Sequence, residues 1–300
     1  MQISVNATPS YGTEVTLQEL IALRNLALHQ PSAGNHKKLT LPGLKLTNIR
    51  GRGIEFDATR EYQAGDDIRS MAWRVTARSL KPHIKVYREE KERPVWLAID
   101  LSPSLYFGTR CMFKSVKSIM QATLTGWLSL EKRERIGALI SKEEKPLIFL
   151  PQTGEKYYLT ILHALANASR SYPDFTNTNH LRGLLLALQQ QVRTGNITYI
   201  YSDFFHFDTD IEKLILHLAQ RTQVILNFCY DPFEATPPPP YQYILTNGQQ
   251  NLLFNMQDAK NREDYRQLFQ LKVSQLQNFA RKHQITLRTY CTDPEREIAI

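Results

Sequence analysis

The chain has 300 residues, of which 42% are hydrophobic and 22% are charged. These are ordinary values for a folded, soluble globular protein, and the length allows one large or two modest domains. Cys111, Cys229 and Cys291 lie far apart and show no CxxC or Cys/His spacing, so the sequence implies neither a disulfide framework nor a zinc site. No window approaches the ~18 apolar residues of a membrane span, and the amino terminus lacks a signal-peptide pattern. We therefore expect a cytoplasmic protein with no membrane span.

The formal net charge of +8 is concentrated in one segment of the chain. Residues 37–93 contain 14 Lys or Arg against 8 Asp or Glu, a balance of +6. Such a patch can attract nucleic acid, anionic lipid or an acidic protein. Its acids are interleaved with its bases, however, which is typical of a salt-bridged surface rather than a phosphate track. The pattern therefore argues against nucleic-acid binding.

The amino-terminal part predicts a helix followed by a loop. Thr16 is a candidate N-cap with Glu19 at the capping-box position, and the apolar residues that follow recur at helical spacing. This helix should end before Pro31. Residues 31–50 carry Gly, Pro and Lys and predict a loop, and a Gly-rich turn at 51–53 precedes a strand at 54–56. We assign 1–50 as an N-terminal helix and loop, and 51–93 as a small accessory subdomain.

The accessory subdomain carries a dense set of charged and aromatic side chains. We expect Asp66 to cap a short helix that extends through Trp73, and residues 83–88 to form a strand leading back to the main sheet. Since Arg–carboxylate pairs are strong when bidentate, we favour a structural salt-bridged cluster over a catalytic role. The set comprises Glu55, Arg60, Asp66, Asp67, Arg69, Trp73, Arg74 and Arg78.

Residues 94–300 alternate between strand and helix patterns. The apolar run 95–99 is typical of a strand buried on both faces of a parallel sheet. Such alternation over 94–291 predicts an α/β fold with a doubly wound sheet. The predicted helices span 109–130, 156–169, 181–192, 210–221 and 261–283, and the further strands span 135–140, 146–150, 197–201, 223–230, 241–245, 251–254 and 285–290.

A hard-oxygen side-chain set follows the first buried strand of this domain. Asp100, Ser102 and Ser104 lie in the loop that leaves the strand, where α/β sheets bind ligands. A carboxylate with two hydroxyls suits Mg²⁺ or Mn²⁺. The alternative is a loop whose polar side chains cap the following helix. The strand 197–201 also ends on polar residues, Ser202 and Asp203.

Several blocks of the sequence closely resemble the bacterial "domain of unknown function 58" family. They occur in order and cover most of the chain. The blocks are residues 51–56, 60–69, 73–78, 85–90, 100–104 and 230–234, together with the late helix.

The resemblance implies a von Willebrand factor A-like domain with a Rossmann-like, doubly wound sheet, preceded by the small accessory subdomain. It also implies a metal-ion-dependent adhesion site built from three loops. By motif match, Asp100, Ser102 and Ser104 form the first set, and Asp203 is the third. Thr178 is the candidate ligand from the second loop, and Thr176 is the alternative. The implied ion is Mg²⁺, or Mn²⁺ or Ca²⁺, weakly bound.

The same resemblance implies a partner, because such proteins are usually encoded near MoxR-type AAA+ ATPases. We expect a non-enzymatic adaptor whose ion is completed by an acidic side chain of that ATPase or of a client protein. The alternative is a metal-assisted hydrolase, in which the ion activates a water. His206 is the candidate base closest in sequence to the motif loops, which contain no nucleophile-and-base constellation.

Overall fold

A computed structural model describes residues 12–29, 55–88, 93–141, 145–172, 180–246, 251–293 and 295. The chain divides into two compact units. One comprises Met1–Pro31 together with Arg93–Ile300, and the other comprises Ser32–Glu92. We refer to them as the sheet unit and the accessory unit.

The elements in chain order are α1 (Leu17–His29), β1 (Glu55–Glu61), α2 (Trp73–Ser79), β2 (His83–Arg88), β3 (Val95–Asp100), α3 (Lys114–Glu131), β4 (Ile136–Ser141), β5 (Leu147–Gln152), α4 (Glu155–Arg170), α5 (His180–Gln191), β6 (Ile197–Ser202), α6 (Thr209–Ala219), β7 (Gln223–Tyr230), α7 (Pro232–Ala235), β8 (Gln242–Thr246), β9 (Asn251–Asn255), α8 (Ala259–Lys282) and β10 (Thr286–Cys291). Short 3-10 helices cover Ile68–Ser70 and Pro103–Leu105. Within the described ranges, no helix has both the length and the apolar character needed to cross a lipid bilayer.

The sheet unit is built on a six-stranded sheet with the order β10-β7-β6-β3-β4-β5. All neighbouring pairs are parallel except β4 and β5, which form an antiparallel hairpin at one edge. The prediction of an α/β fold around a mostly parallel sheet is confirmed. A separate antiparallel hairpin joins β8 and β9.

The central strand β3 contributes to two hydrophobic cores. Successive side chains of a strand point to opposite faces, and every residue of β3 is buried. Val95, Leu97 and Ile99 pack in the core that also contains α1, α3 and α4. Trp96 and Ala98 pack in the core that contains α5, α6 and α8. Helices therefore cover both faces of the sheet.

Helix α1 begins with the predicted capping box. The Thr16 amide donates to Glu19 Oε2 at 2.7 Å, and the Glu19 amide donates to Thr16 Oγ1 at 3.3 Å. On the inner side of the helix, Trp127 Nε1 of α3 donates to the Leu20 carbonyl at 3.0 Å. Helix α1, which the sequence analysis placed outside the 94–300 domain, is thus part of the sheet unit.

The accessory unit confirms one local prediction and corrects another. Strand β2 covers the predicted residues 83–88 and pairs antiparallel with β1 in a two-stranded sheet of its own. Asp67, rather than Asp66, is the N-cap of the 3-10 helix, and α2 begins only at Trp73. The physical reason is that the Asp66 carboxylate is already engaged, by Arg60 and by the amide of Gln63 at 2.9 Å.

Helix α3 begins later than its apolar pattern suggested. The prediction started at Thr109, whereas the helix starts at Lys114. The intervening amides are bonded outside the helix: Thr109 donates to Asp231 Oδ2 at 3.1 Å, and Phe113 donates to the Gly12 carbonyl at 2.7 Å. The loop between β3 and α3 is consequently long enough to form a pocket wall.

Candidate metal site at the carboxyl edge of the sheet

The candidate site lies where the direction of chain progression across the sheet reverses. From β3 the chain continues to β4 on one side, whereas from β6 it continues to β7 on the other. Strands β3 and β6 are parallel neighbours, so their following loops part and leave a crevice at their carboxyl ends. In open α/β sheets such a switch point is the usual ligand site. Asp100 is the last residue of β3, and Asp203 directly follows β6.

A pocket of about 200 Å³ opens at this switch point. Four of the five predicted metal ligands line it: Asp100, Ser102, Ser104 and Asp203. Its remaining wall is formed by Leu181, Arg182, Phe205, His206, Asp208 and Ile211. The fifth predicted ligand, Thr178, and its rival Thr176 lie outside the described residues.

Asp100 is held rigidly by its neighbours. The amide of Ser102 donates to its Oδ1 at 3.0 Å, and the hydroxyl of Ser202 donates to its Oδ2 at 2.7 Å. Burial and then the nearby charge of Asp203 raise the pKa of Asp100 to about 7. A carboxylate that is both desolvated and close to a second carboxylate is stabilised by a cation placed between them.

The serine hydroxyls of the loop do not act as helix caps. Ser102 precedes the 3-10 helix Pro103–Leu105 but makes no side-chain capping bond to it, and the N-cap of α3 is Phe113. The Ser102 and Ser104 hydroxyls instead lie 3.4 Å apart on the pocket wall. The capping alternative is therefore wrong for these two side chains.

Asp203 forms the centre of a buried ionic cluster. Its Oδ1 accepts from the Phe205 amide at 3.1 Å, and its Oδ2 accepts from Lys114 Nζ at 2.8 Å. Lys114 also donates to Glu234 Oε1 at 2.8 Å. Burial by itself would raise the pKa of Asp203, but the ammonium of Lys114 outweighs it, and the pKa lies below its usual value. Burial would likewise lower the pKa of Lys114, yet the Asp203 and Glu234 carboxylates raise it above its usual range. Asp203 and Lys114 thus each favour their charged form.

Glu234 connects the cluster to the turn after β7. Its second oxygen accepts from the Asp231 amide at 2.9 Å, and the Asp231 carboxylate accepts from the Phe233 amide at 2.9 Å, which together form a capping box for α7. Asp231 also accepts 2.6 Å bonds from the hydroxyls of Thr109 and Thr292. The loop before α3 and the end of β10 are therefore fixed to the same turn that positions Glu234.

Sequence reasoning did not identify Ser202, Lys114 or Glu234 as parts of the site. One signal was available for Lys114, since a cation at the first position of a helix opposes the helix dipole and calls for a nearby carboxylate. Glu234 ends the family-like segment 230–234, and Ser202 directly precedes Asp203. Sequence spacing alone, however, does not reveal which residue either side chain contacts.

The donor set of the pocket fits a small, hard divalent ion. It offers two neutral hydroxyls and two carboxylates, all of them oxygen donors, which is the chemistry that Mg²⁺ prefers. In the part of the chain that the structure describes, no group of three or more His, Cys, Asp or Glu side chains is arranged around a common point. An ion here would therefore depend on Ser102 and Ser104, with the carboxylates acting partly through water.

The other predicted motif residues belong to the accessory unit. Arg60 and Asp66 form an ion pair, with their side chains 24% and 19% exposed. Asp67 caps the 3-10 helix by accepting from the Arg69 amide at 3.0 Å. The side chains of Arg69, Trp73, Arg74 and Arg78 are exposed. Glu55 lies in β1 opposite Arg88, and its side chain is outside the described residues.

Residues 58–275 match the family described as "Protein of unknown function DUF58". The chain is 28% identical over 226 residues to Uncharacterized protein Mb1516 of Mycobacterium bovis, covering 75% of this chain and 70% of that protein. Uncharacterized protein Rv1480 of Mycobacterium tuberculosis matches with the same values: 28% identity over 226 residues, 75% and 70% coverage.

Two solved structures show weak similarity. The conserved hypothetical protein BatB from Bacteroides thetaiotaomicron aligns with a TM-score of 0.40 at 8% identity, over 68% of this chain and 92% of that one. An aerotolerance-related membrane protein from Bacteroides fragilis aligns with a TM-score of 0.36 at 8% identity, over 66% and 91% of the two chains.

Proposed function

The chain belongs to the DUF58 family of proteins of unknown function, and we propose that it is a non-enzymatic, metal-dependent protein-interaction module. In this proposal the sheet unit is a Rossmann-like domain of the von Willebrand factor A type. Asp100, Ser102 and Ser104 provide its first metal-binding loop, Asp203 the third, and Thr178 or Thr176 the second.

One observation carries the proposal. Ser102, Ser104 and two carboxylates from separate loops converge on one pocket at the switch point of the sheet. An ion that is held by few protein oxygens keeps several waters. A carboxylate from another protein can replace one of these waters, and this replacement makes binding of that protein depend on the metal.

We propose that the acidic side chain comes from a MoxR-type AAA+ ATPase or from a client protein that the ATPase assembles or activates. The support for this partner is the sequence resemblance described above. A cytoplasmic location belongs to the same proposal, because such an ATPase requires ATP.

The test is calorimetric titration of the chain with a purified MoxR-type AAA+ ATPase, with Mg²⁺ and with EDTA. We expect binding only with the metal. Binding should weaken more in Asp100→Ala than in Ser102→Ala, since the first variant removes a charge that offsets desolvation of the ion and the second removes one neutral ligand. Asp264→Ala, which removes an exposed carboxylate on α8, is the matched control. Equal affinity in Mg²⁺ and EDTA would contradict the proposal.

A second candidate function rests on His206, which lines the same pocket as the predicted ligands. A metal-assisted hydrolase would use the ion to lower the pKa of a bound water and an imidazole to accept its proton. This function requires Mg²⁺-dependent turnover of a phosphoester or peptide that is lost in both Asp100→Ala and His206→Ala. If wild-type protein shows no turnover, the interaction module remains the better explanation.

A further inference from the structure

The cation of Lys114 lies behind the candidate metal pocket rather than in solvent. The Lys114 side chain is 2% exposed, and it reaches Asp203, which is 1% exposed, from the interior of the protein. Its ammonium lies 5.9 Å from the centre of the Phe107 ring, a cation–π contact. The ammonium is thus fixed by two carboxylates and an aromatic face.

A second ammonium acts on the same carboxylates. Lys272 Nζ lies 5.6 Å from the ring centre of Phe205 and 5.4 Å from that of Phe228, and it interacts electrostatically with Asp203 and Glu234. Two ammonium groups, those of Lys114 and Lys272, therefore act on the carboxylates of Asp203 and Glu234.

Asp203 is shared between this cluster and the pocket. One oxygen is bonded to Lys114 and the other to the Phe205 amide, while the side chain also lines the pocket. Because both oxygens are already engaged, the carboxylate cannot turn freely toward an ion. A divalent cation entering the pocket therefore meets an Asp203 that Lys114 already partly neutralises, and an Asp100 whose hydrogen-bond donors, the Ser102 amide and the Ser202 hydroxyl, carry no charge.

We propose that Lys114 is a positioning residue that keeps the divalent-metal affinity of this pocket low, so that retention of the ion depends on a further carboxylate from a bound partner. This inference rests on the proposed function, in which the pocket holds the ion. Its physical basis is Coulomb repulsion. The fixed ammonium of Lys114 and the divalent ion lie on opposite sides of the Asp203 carboxylate, in a buried region where the dielectric constant is low.

The test measures Mn²⁺ binding to the purified full chain by electron paramagnetic resonance, with Mg²⁺ as competitor. Lys114→Met should bind Mn²⁺ about tenfold more tightly, since it removes the buried positive charge and keeps most of the side-chain volume. Lys114→Arg should keep the weak affinity of the wild type. Glu234→Gln should shift in the opposite direction and bind more weakly, because it removes a negative charge from the same cluster. A purely structural role for Lys114 would not tighten metal binding.

The outcomes separate this inference from the proposed function. Unchanged or weaker binding by folded Lys114→Met overturns the inference. If wild type still binds Mn²⁺ and Asp100→Ala does not, the proposed metal site survives that result. If Lys114→Met fails to fold, Glu234→Gln decides: weaker binding supports the inference, and unchanged or tighter binding overturns it. Binding by Lys114→Met where wild type shows none also supports it, whereas the absence of binding by every variant overturns both proposals.

Discussion

The two units use the same charged residue types in opposite ways. In the sheet unit, Lys114 and Asp203 form an ion pair whose side chains are 2% and 1% exposed. In the accessory unit, Lys81 and Glu61 pair at 3.2 Å, but their side chains are 67% and 62% exposed. Exposed pairs contribute about 0–1 kcal/mol, whereas breaking a buried pair from one side costs about 3–5 kcal/mol. Burial, and not the local density of charge, decides which ion pairs the protein depends on.

The largest expected effect is on the buried pair. Lys114→Met should lower the free energy of unfolding of the sheet unit by about 3–5 kcal/mol, because Asp203 is left buried and without its hydrogen-bonded cation. Urea unfolding in EDTA, followed by tryptophan fluorescence, measures this change. Lys213→Met is the matched control in the same unit, since Lys213 is 77% exposed and pairs with Asp210 at 3.5 Å on the surface of α6. If both variants lose equal stability, the contrast between buried and exposed pairs is wrong for this protein.

An intermediate effect is expected at the partly buried pair of the accessory unit. Arg60→Ala should destabilise β1 and β2 by about 1–2 kcal/mol, because Asp66 then loses its cation while only partly open to water. Hydrogen exchange of the β1 and β2 amides reports this unit separately from the sheet unit. Arg78→Ala, at an exposed position on α2, is the control. Unchanged exchange in Arg60→Ala would favour a solvent-facing binding surface over a structural pair.

The smallest expected effect is at the cap of the 3-10 helix Ile68–Ser70. Asp67→Ala should cost about 0.5–1 kcal/mol, since it removes the acceptor for the Arg69 amide. Asp67→Ser retains a capping oxygen and should recover most of this loss. The exchange rate of the Arg69 amide is the direct measurement, and an equal rate in wild type and Asp67→Ala would show that the cap contributes nothing.

Local sequence patterns were sufficient to predict helices and strands that bury an apolar face, and helices whose N-cap residue lies next to them in the sequence. The capping box of Thr16 and Glu19 and the buried strand before Asp100 were both visible in the sequence, because each depends on residues close together in the chain. The strand ends could also be located, and the rule for parallel sheets then placed Asp100 and Asp203 at a common edge.

Long-range partners could not be predicted in the same way. The pairing of Lys114 with Asp203 and Glu234 depends on strand order, which brings together residues separated by 89 and 120 positions. The pairing of β2 with β1 could not be predicted either, since an alternating strand pattern does not say which sheet the strand joins. Asp66 and Asp67 both have a side chain that can cap a helix, so the sequence alone does not distinguish them. The ion pair of Asp66 with Arg60 makes Asp67 the cap.

The division of β3 between two cores constrains how this protein can vary in evolution. Substitution of Leu97 by another aliphatic residue changes one core locally and leaves the strand in place. Deletion of a single residue between Trp96 and Asp100 would move the side chains on one side of the deletion to the opposite face, since side-chain direction alternates with a period of two. Either Trp96 would then leave its core or Asp100 would turn away from Ser202. Relatives that keep the pocket should therefore tolerate insertions and deletions in the loops around the sheet, but should keep the length of this strand unchanged.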